Sequence, residues 1–327
     1  MKLFLPIFLM FVASIFSCKC EDFEKNEFSS GAKHVLNERT SQGDFIIDEN
    51  VDLTSYEGYA KEVNIPEGVV KINFGVFSNH DEIENINFPK SLKSIDECSF
   101  SECANIKSLV LPDNLEKIGR LAFLNCNSVS EMHIGKNLNF VDELFVWGCI
   151  NLRKIDVNPE NKCYKSLDGI LYNKDLTELC VCPQNYGEKV IIPDSVITLK
   201  EMSFFECKNL KEVVFGKNIL YVNELAFSGC KNLKFVKMND LVKKIRANVF
   251  FECTSLENIV INGSVTSLEN MAFSNCSSLK EVIFMSKNTK LGNKIFVGCS
   301  ENIKIKAPAD SEMQTYASKH GYKFEIL

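Results

Sequence analysis

The sequence has few of the residues from which active sites and membrane spans are built. It contains only four histidines, at His34, His80, His133 and His320. It has no glycine-rich loop of the phosphate-binding kind, and no stretch beyond the first 20 residues is apolar enough to cross a bilayer. Lysine and arginine are scattered in a chain of net charge −6, so no basic stripe could neutralise phosphates. These absences argue against nucleic-acid binding, a later membrane helix and histidine-dependent catalysis.

A repeated phrase organises most of the chain. Residues 273–284 read Phe-x-x-Cys-x-x-Leu-x-x-Val-x-Phe, and the cysteine of this phrase recurs at Cys103, Cys126, Cys149, Cys207, Cys230, Cys253, Cys276 and Cys299. Neighbouring cysteines are 23 residues apart, except for one step of 58 residues between Cys149 and Cys207. The 327 residues alone would suggest about two domains, but a regular period replaces that estimate with one stack of units.

The period predicts a leucine-rich-repeat solenoid, mainly parallel β with short helical or irregular loops. Each unit supplies a strand, a turn, a second short strand and a compact loop. In the strand of residues 210–215, Val213 and Phe215 point to one face, which builds the core, and Glu212 and Val214 point to the other. We expect the recurring phenylalanines to stack as an internal spine, with Val146 replacing one of them: Phe77, Phe100, Phe123, Phe204, Phe227, Phe250, Phe273 and Phe296.

The remaining segments complete a linear organisation. Residues 1–20 are predicted to be a signal peptide, 21–62 an N-terminal cap, 63–306 the solenoid and 307–327 a C-terminal cap with a helix whose predicted N-cap is Asp310. An insertion at about 158–191 contains three short strands, and we expect it to project from the stack as a hairpin.

The first 20 residues predict export. A charge-free apolar run follows Lys2 and is too short for a comfortable transmembrane helix, and small residues follow it near Cys18 and Cys20. Residues 15–18 also loosely resemble a bacterial lipid-attachment box. Such boxes prefer a small residue where this sequence has the bulky Phe16, so lipidation of Cys18 is the second interpretation. We therefore expect an extracellular protein, either secreted or held at the cell surface.

The repeat resembles the BspA-like, or Treponema-type, leucine-rich repeat family. The resemblance rests on residues 192–196 (IPDSV), 225–230 (LAFSGC) and 168–174 (DGILYNK), and it covers about residues 63–306. It implies a surface or secreted binding protein of a host-associated bacterium or protist, of a kind implicated in adhesion to host cells and matrix proteins. This sequence departs from the pattern with His80 in place of cysteine and with units that lack the proline.

The cysteines allow two interpretations. Successive repeat cysteines lie one strand spacing apart, about 4.8 Å, which is within reach of a disulfide, but parallel side chains do not lean toward each other. We therefore favour buried, inert thiols, and the 23-residue spacing gives no compact metal-binding cluster. In the insertion, a bridge from Cys163 to Cys180 or Cys182 is the candidate disulfide, because the latter two share one strand face.

The favoured function is a non-enzymatic solenoid that binds a protein or another macromolecule of a host surface, without cofactor or metal. Strand alternation places an apolar strip on the concave sheet face of the second half of the solenoid, rimmed by charges. Its candidate residues are Val214, Phe235, Val260, Ile283, Glu212 and Lys237. The first half presents mostly polar residues. Two alternatives stay open: a self-associating surface coat, and an enzyme whose site includes the insertion.

Overall fold

The computed structural model describes residues 39–40 and 43–327; the predicted signal peptide and residues 21–38 of the predicted cap lie outside this range. Before the insertion the strands are β1 (Arg39–Thr40), β2 (Gly43–Ile47), β3 (Asp52–Tyr56), β4 (Glu62–Asn64), β5 (Lys71–Ile72), β6 (Asn85–Asn87), β7 (Ser94–Ile95), β8 (Ser108–Val110), β9 (Lys117–Ile118), β10 (Glu131–Ile134), β11 (Phe140–Val141) and β12 (Lys154–Val157). The insertion contributes β13 (Tyr164–Leu167), β14 (Ile170–Asn173) and β15 (Glu178–Val181). After it come β16 (Lys189–Ile191), β17 (Thr198–Leu199), β18 (Glu212–Val214), β19 (Tyr221–Val222), β20 (Phe235–Lys237), β21 (Lys244–Ile245), β22 (Asn258–Ile261), β23 (Ser267–Leu268), β24 (Glu281–Phe284), β25 (Lys290–Leu291), β26 (Lys304–Ala307), α1 (Glu312–His320) and β27 (Lys323–Ile326).

These strands form two parallel ladders, as expected for a solenoid. Ladder A consists of the strands that carry the repeated phrase together with the final strand β27, and its strands pair in four successive parallel sheets: β4–β6, β8–β10–β12, β16–β18–β20 and β22–β24–β26–β27. Ladder B consists of the short strands that follow them, continued by β1–β3 at one end and by the insertion in the middle. Neighbouring strands pair with a register of one period, so Glu131 lies opposite Lys154 and Lys244 lies opposite Ser267.

Alternation in ladder A produces the core. Val213 is fully buried and pairs with buried Val190 and Val236 on the flanking strands, while their sequence neighbours Glu212 and Val214 face outward and are half-buried. Each unit is too small to bury its apolar face alone, so the stacking of neighbours creates the core. The predicted leucine-rich-repeat solenoid is confirmed.

The phenylalanine spine forms in two runs. Six pairs of rings stack nearly parallel, with centroids 4.8–5.8 Å apart: Phe77–Phe100, Phe100–Phe123, Phe204–Phe227, Phe227–Phe250, Phe250–Phe273 and Phe273–Phe296. Stacking at close to one strand spacing adds specific ring contact to the area that these large side chains bury. The first run ends at Phe123, where the next unit carries Val146.

Phe145 compensates for Val146 without a change in the backbone. The amide of Phe123 donates to the carbonyl of Phe145 at 2.9 Å, just as Phe100 donates to Ala122 in the unit before. Phe145 therefore occupies the place of Ala122, and both Phe145 and Val146 are buried. The ring has moved by one position along the turn, so the core keeps its volume while the stack of rings is interrupted.

Two units replace the usual proline after the ladder A strand with glycine because the preceding turn approaches closely. A Cβ atom at Gly135 would lie 2.5 Å from the carbonyl oxygen of Pro112, and one at Gly216 would lie 2.2 Å from that of Pro193. No side chain fits at such distances, so these departures from the repeat preserve the stack.

The insertion is part of the stack, and the prediction of a projecting hairpin is wrong. β13, β14 and β15 form an antiparallel sheet, and β15 then pairs in parallel with β17 of ladder B. Leu171 packs into the core of the first half and Tyr172 into that of the second half; the two are 0% and 1% exposed. The insertion thus lies between two solenoid halves and supplies apolar side chains to both.

Backbone contacts fix the insertion to the unit before it. The amide of Ile155 in β12 donates to the carbonyl of Gly169 at 2.9 Å, and the amide of Val141 in β11 donates to the hydroxyl of Tyr164 at 3.2 Å. Leu171 pairs with Val181 whereas Tyr172 pairs with Leu179, so β15 carries a bulge at Cys180.

The C-terminal helix begins one residue later than predicted. Ser311 is the N-cap, because its side chain accepts a hydrogen bond from the amide of Gln314, while Asp310 has a left-handed φ of 57°. Gly321 ends α1 in the left-handed conformation and donates to the carbonyl of Ala317. Met313 and Ala317 of α1 are buried in the second-half core, so the helix closes that end of the core.

The insertion's role in the core predicts a large effect of truncation. Leu171→Ala should lower the free energy of unfolding by about 2–5 kcal/mol, as expected for a leucine that leaves a cavity in a packed core. Urea unfolding followed by circular dichroism measures this. Lys165→Ala, at an exposed position of β13, is the control and should change the stability by less than about 0.5 kcal/mol. Equal, small effects of both substitutions would mean that the insertion is peripheral after all.

Candidate partner-binding face

The outward side chains of ladder A form two rows that run along the solenoid axis. The first row holds the first outward residue of each strand, and the second row holds the residue two positions later. In the second half, the first row contains Glu212 opposite Phe235, and the second contains Ile191 opposite Val214 and Val214 opposite Lys237. Farther along, Val260 lies opposite Ile283 in the second row.

All six residues of the predicted strip lie on this outer face. Phe235 is 50% exposed and Val260 is 44% exposed. Val214, Ile283 and Glu212 are half-buried, and Lys237 is exposed. The side chains are therefore accessible from solvent, with the smaller aliphatic groups flanked by their neighbours across the ladder.

The register changes the expected arrangement in two ways. Lys237 does not stand on the rim: it occupies the second row between Val214 and Val260, and so divides the apolar strip into two pairs. Ile191, which the sequence reasoning missed, extends the strip by one strand and is 68% exposed. Counting one period back from Val214 would have found it, but that position lies at the end of the insertion range.

Ion pairs along the axis hold the rim carboxylates. Lys189 Nζ lies 2.8 Å from Glu212 Oε1, and Lys306 Nζ lies 2.8 Å from Glu281 Oε2. The ion pair and hydrogen bond with Glu281 outweigh desolvation and raise the pKa of Lys306. In contrast, the ammonium group of Lys237 has no ion-pair partner within the part of the chain that the structure describes. The carboxylates at the edges of the strip are therefore paired with lysines, and the ammonium group of Lys237 at its centre has no such partner among the described residues.

The first half of the same face is polar, as predicted. The side-chain Nδ2 of Asn87 donates to Asn64 Oδ1 at 2.7 Å, and His133 lies between Glu131 and Asp156 at 3.8 and 3.7 Å. Two open depressions of about 370 and 310 Å³ border Val110, which is 64% exposed. This half lacks the contiguous apolar residues of the second half.

The repeat cysteines are buried, except for half-buried Cys299, and their thiols contact the turn before them. The thiol of Cys230 donates to the carbonyl of Phe204 at 3.0 Å, and Cys253 and Cys276 make the same bond to Phe227 and Phe250. Burial raises the pKa of Cys103 to about 12 and holds that of Cys230 well above its ordinary value. These thiols are protonated near neutral pH, and all are free, as the inert-filler interpretation predicts.

The candidate disulfide in the insertion is contradicted. Cys163, Cys180 and Cys182 are all free, and Cys163 alone of the three is exposed. Cys163 precedes β13, which β14 separates from the strand of Cys180, a distance of about two strand spacings or ~10 Å, and a disulfide spans less than about 7 Å. The bulge at Cys180 also turns Cys180 into the first-half core and Cys182 into the second-half core, so they do not share a face.

The described residues also bear on catalysis, metals and membranes. Within residues 39–40 and 43–327, no group of three or more histidine, cysteine, aspartate or glutamate side chains could hold a metal ion. His80 contacts Glu82 at 2.6 Å and the ring of Tyr56, and it belongs to the capped end of the core. In the same part of the chain, no helix has the length and hydropathy needed to cross a membrane.

Comparisons with known proteins agree with this architecture. A family model described as "BspA type Leucine rich repeat region" matches residues 55–168 and 183–303 in six copies, which is more than half of the chain. No curated protein matches the sequence.

Three solved structures have the same fold. The pneumococcal vaccine antigen PcpA is 20% identical with a TM-score of 0.59, and the match covers 85% of this chain and 83% of that one. A leucine rich cell surface protein from Faecalibacterium prausnitzii A2-165 is 18% identical with a TM-score of 0.56, covering 88% and 98%. A leucine-rich repeat protein from Eubacterium ventriosum ATCC 27560 is 19% identical with a TM-score of 0.55, covering 83% and 96%. At these identities the likeness shows the fold alone.

Thiol accessibility predicts a selective labelling pattern. Among the cysteines that the structure describes, iodoacetamide at pH 8 should alkylate Cys163 rapidly and half-buried Cys299 slowly, and the others only after unfolding, because burial keeps them protonated and inaccessible. Peptide mass spectrometry identifies the sites. Cys163→Ser, the control, should remove the rapid phase and leave the rest unchanged. A disulfide between adjacent repeat positions would contradict the assignment.

The raised thiol pKa values also predict alkaline destabilisation. Above pH 9 the thiols of Cys103, Cys126, Cys230 and Cys276 ionise in the unfolded chain but stay protonated in the fold. The unfolded state then binds fewer protons than the native state, so stability is present below the unfolded pKa and falls as pH rises. Each thiol should cost on the order of 1–2 kcal/mol between pH 8 and pH 10. Urea midpoints that are equal at the two pH values would refute this.

Proposed function

Because the chain belongs to the BspA-type leucine-rich repeat family, we propose that it is a non-enzymatic, protein-binding solenoid that acts outside the cell. The partner is a protein or another macromolecule of a host surface, and the binding site is the outer face of ladder A in the second half. The residues assigned to it are Val214, Phe235, Val260, Ile283, Glu212 and Lys237, together with Ile191.

The apolar strip is the observation that carries this proposal. Exposed aliphatic and aromatic side chains that adjoin on a rigid sheet, with polar groups around them, have the composition of the core of a protein interface. Phe235 is the candidate anchor residue, because the binding energy of an interface is concentrated in a few large side chains. Its ring is half exposed, and its strand β20 lies between the strands that carry Val214 and Val260.

Electrostatics favours a partner that brings a carboxylate to the centre of the strip. Glu212 and Glu281 are already neutralised by lysines, whereas Lys237 stands among apolar groups. Its aliphatic stem can cover Val214 or Val260 while its ammonium group meets an acidic side chain of the partner. We therefore infer a partner surface with an acidic residue surrounded by apolar ones.

Extracellular placement and adhesion rest on the sequence of residues 1–20 and on the relatives. The apolar leader predicts export, and two proteins of the same fold are named as a vaccine antigen and as a cell surface protein. A role in adhesion to host cells or matrix fits such a location. No chemistry is assigned to the insertion, whose Leu171 and Tyr172 side chains pack into the two cores.

Serine substitutions in the strip test the site. Phe235→Ser with Val260→Ser should leave the free energy of unfolding within about 1 kcal/mol, because both side chains face solvent. Capture of proteins from an extract of extracellular matrix and cell surfaces should fall about tenfold or more, as expected when interface anchors are removed. Quantitative mass spectrometry compares the proteins retained by wild type and variant.

A second double variant is the matched control. Phe140→Ser with Val110→Ser removes the same residue types at exposures of 47% and 64%, but outside the strip, and should retain full capture. Normal capture by the strip variant would show that this face is not the site. Unfolding of the strip variant would show that its inward and outward faces are assigned wrongly.

A further inference from the structure

β27 is the last strand of ladder A within the residues that the structure describes. β27 pairs in parallel with β26, and within the described residues no strand lies on its other side. The amide of Leu327 donates to the carbonyl of Ala307 at 3.1 Å, so residues of this parity bond to β26. Backbone groups alternate along a strand, and the N–H and C=O groups of Phe324 and Ile326 therefore point to the open edge.

The side chains of β27 continue the core face of the ladder beyond the last complete unit. Phe324 lies opposite Ile305 and Ile326 lies opposite Ala307, both of which are fully buried. Ile326 itself is 61% exposed. Within the described residues no further turn covers Ile326, so this core-facing side chain is open to solvent.

The outward side chains of the same strand are exposed and opposite in charge. Lys323 and Glu325 are two residues apart, so they stand side by side on the outer face. Their contacts within the molecule, from Lys323 to Asn302 at 2.8 Å and from Glu325 to Lys304 at 3.4 Å, are surface contacts of little net energy. They can be exchanged for contacts with a partner.

We propose that β27 pairs antiparallel with β27 of a second copy of this chain, about a two-fold axis that passes beside Phe324. A strand whose charges are Lys-x-Glu is self-complementary in this arrangement, since Lys323 of each copy faces Glu325 of the other. A two-fold contact uses the same surface on both subunits and closes on itself, so the product is a dimer rather than a filament.

Charge and hydrogen bonding together select this register. Edge-facing residues of the two copies must lie opposite each other to exchange backbone hydrogen bonds. Phe324 opposite Phe324 satisfies this condition and pairs the charges favourably. A shift to Phe324 opposite Ile326 would place Glu325 against Glu325, which is unfavourable on a strand face. With Phe324 at the centre, Tyr322 and Ile326 also meet on the core-facing side.

The outer edge of β27 has no partner strand within the described residues, whereas the helix α1 covers the end of the core beside ladder B. At the same end, α1 covers the core beside β25, the last strand of ladder B. The dimer would join two solenoids end to end and leave the second-half strip of each exposed. The inference does not depend on the proposed binding role, and either can fail alone.

Sedimentation velocity over a concentration series tests the pairing. The purified wild type should dimerise reversibly. Lys323→Glu alone places Glu against Glu twice in each dimer, and Glu325→Lys alone places Lys against Lys twice, so each should raise the dissociation constant about tenfold or more. The double variant Lys323→Glu with Glu325→Lys restores complementarity and should dimerise as wild type does.

Two further variants complete the test. Ile326→Pro removes an N–H that faces the open edge but none that bonds to β26, and should abolish dimerisation while the melting temperature is retained. Lys90→Glu makes the same charge change on a distant, exposed residue and should have no effect. A wild type that is monomeric at every concentration, or a dimer that is insensitive to the single charge reversals, would overturn the proposal.

Discussion

The structure depends on one constraint: equivalent side chains of successive units must stack at a single strand spacing. Phe204 and Phe227 meet this constraint with centroids 4.8 Å apart, and Cys230 links the units by its thiol hydrogen bond to the carbonyl of Phe204. Cysteine suits the position because it is small and apolar enough for the core, yet its thiol gives the carbonyl of Phe204 a second, weak donor beside the amide of Cys207. The 23-residue period of the sequence follows from this contact, because each turn must bring the next equivalent residue into the same place.

Local alternation and periodicity were sufficient to predict most of the fold. They correctly placed Val213 inside and Val214 outside, because a parallel ladder with one solvated face obeys a period of two. For the insertion they predicted the three strands but not their packing against both cores. Ile170, Leu171 and Tyr172 are three consecutive apolar residues, a pattern typical of a strand covered on both faces. That signal was present, but a hairpin interpretation assigns only one face to the core.

The candidate face was predicted less completely, because alternation along a strand does not show which residues of neighbouring strands lie side by side. The exposure of Phe235 and Val260 follows from alternation within one strand, whereas the position of Lys237 inside the strip follows from counting one 23-residue period from Val214, which agrees with the pairing of β18 with β20. Alternation predicts which residues are accessible, and register predicts which of them adjoin. The thiols show the same limit, since the intervening β14, which no cysteine spacing reveals, separates Cys163 from Cys180.

The fusion of the insertion to both cores has a consequence for how this chain can change its length. Elsewhere each unit touches only its neighbours, so duplication or loss of 23 residues would reproduce every contact and change the span by one strand spacing. Leu171 packs into the first-half core and Tyr172 into the second-half core, so duplication of the insertion would not reproduce both sets of contacts. The molecule therefore has two independently extensible arms around a fixed joint, and the reach of each arm is set by its copy number.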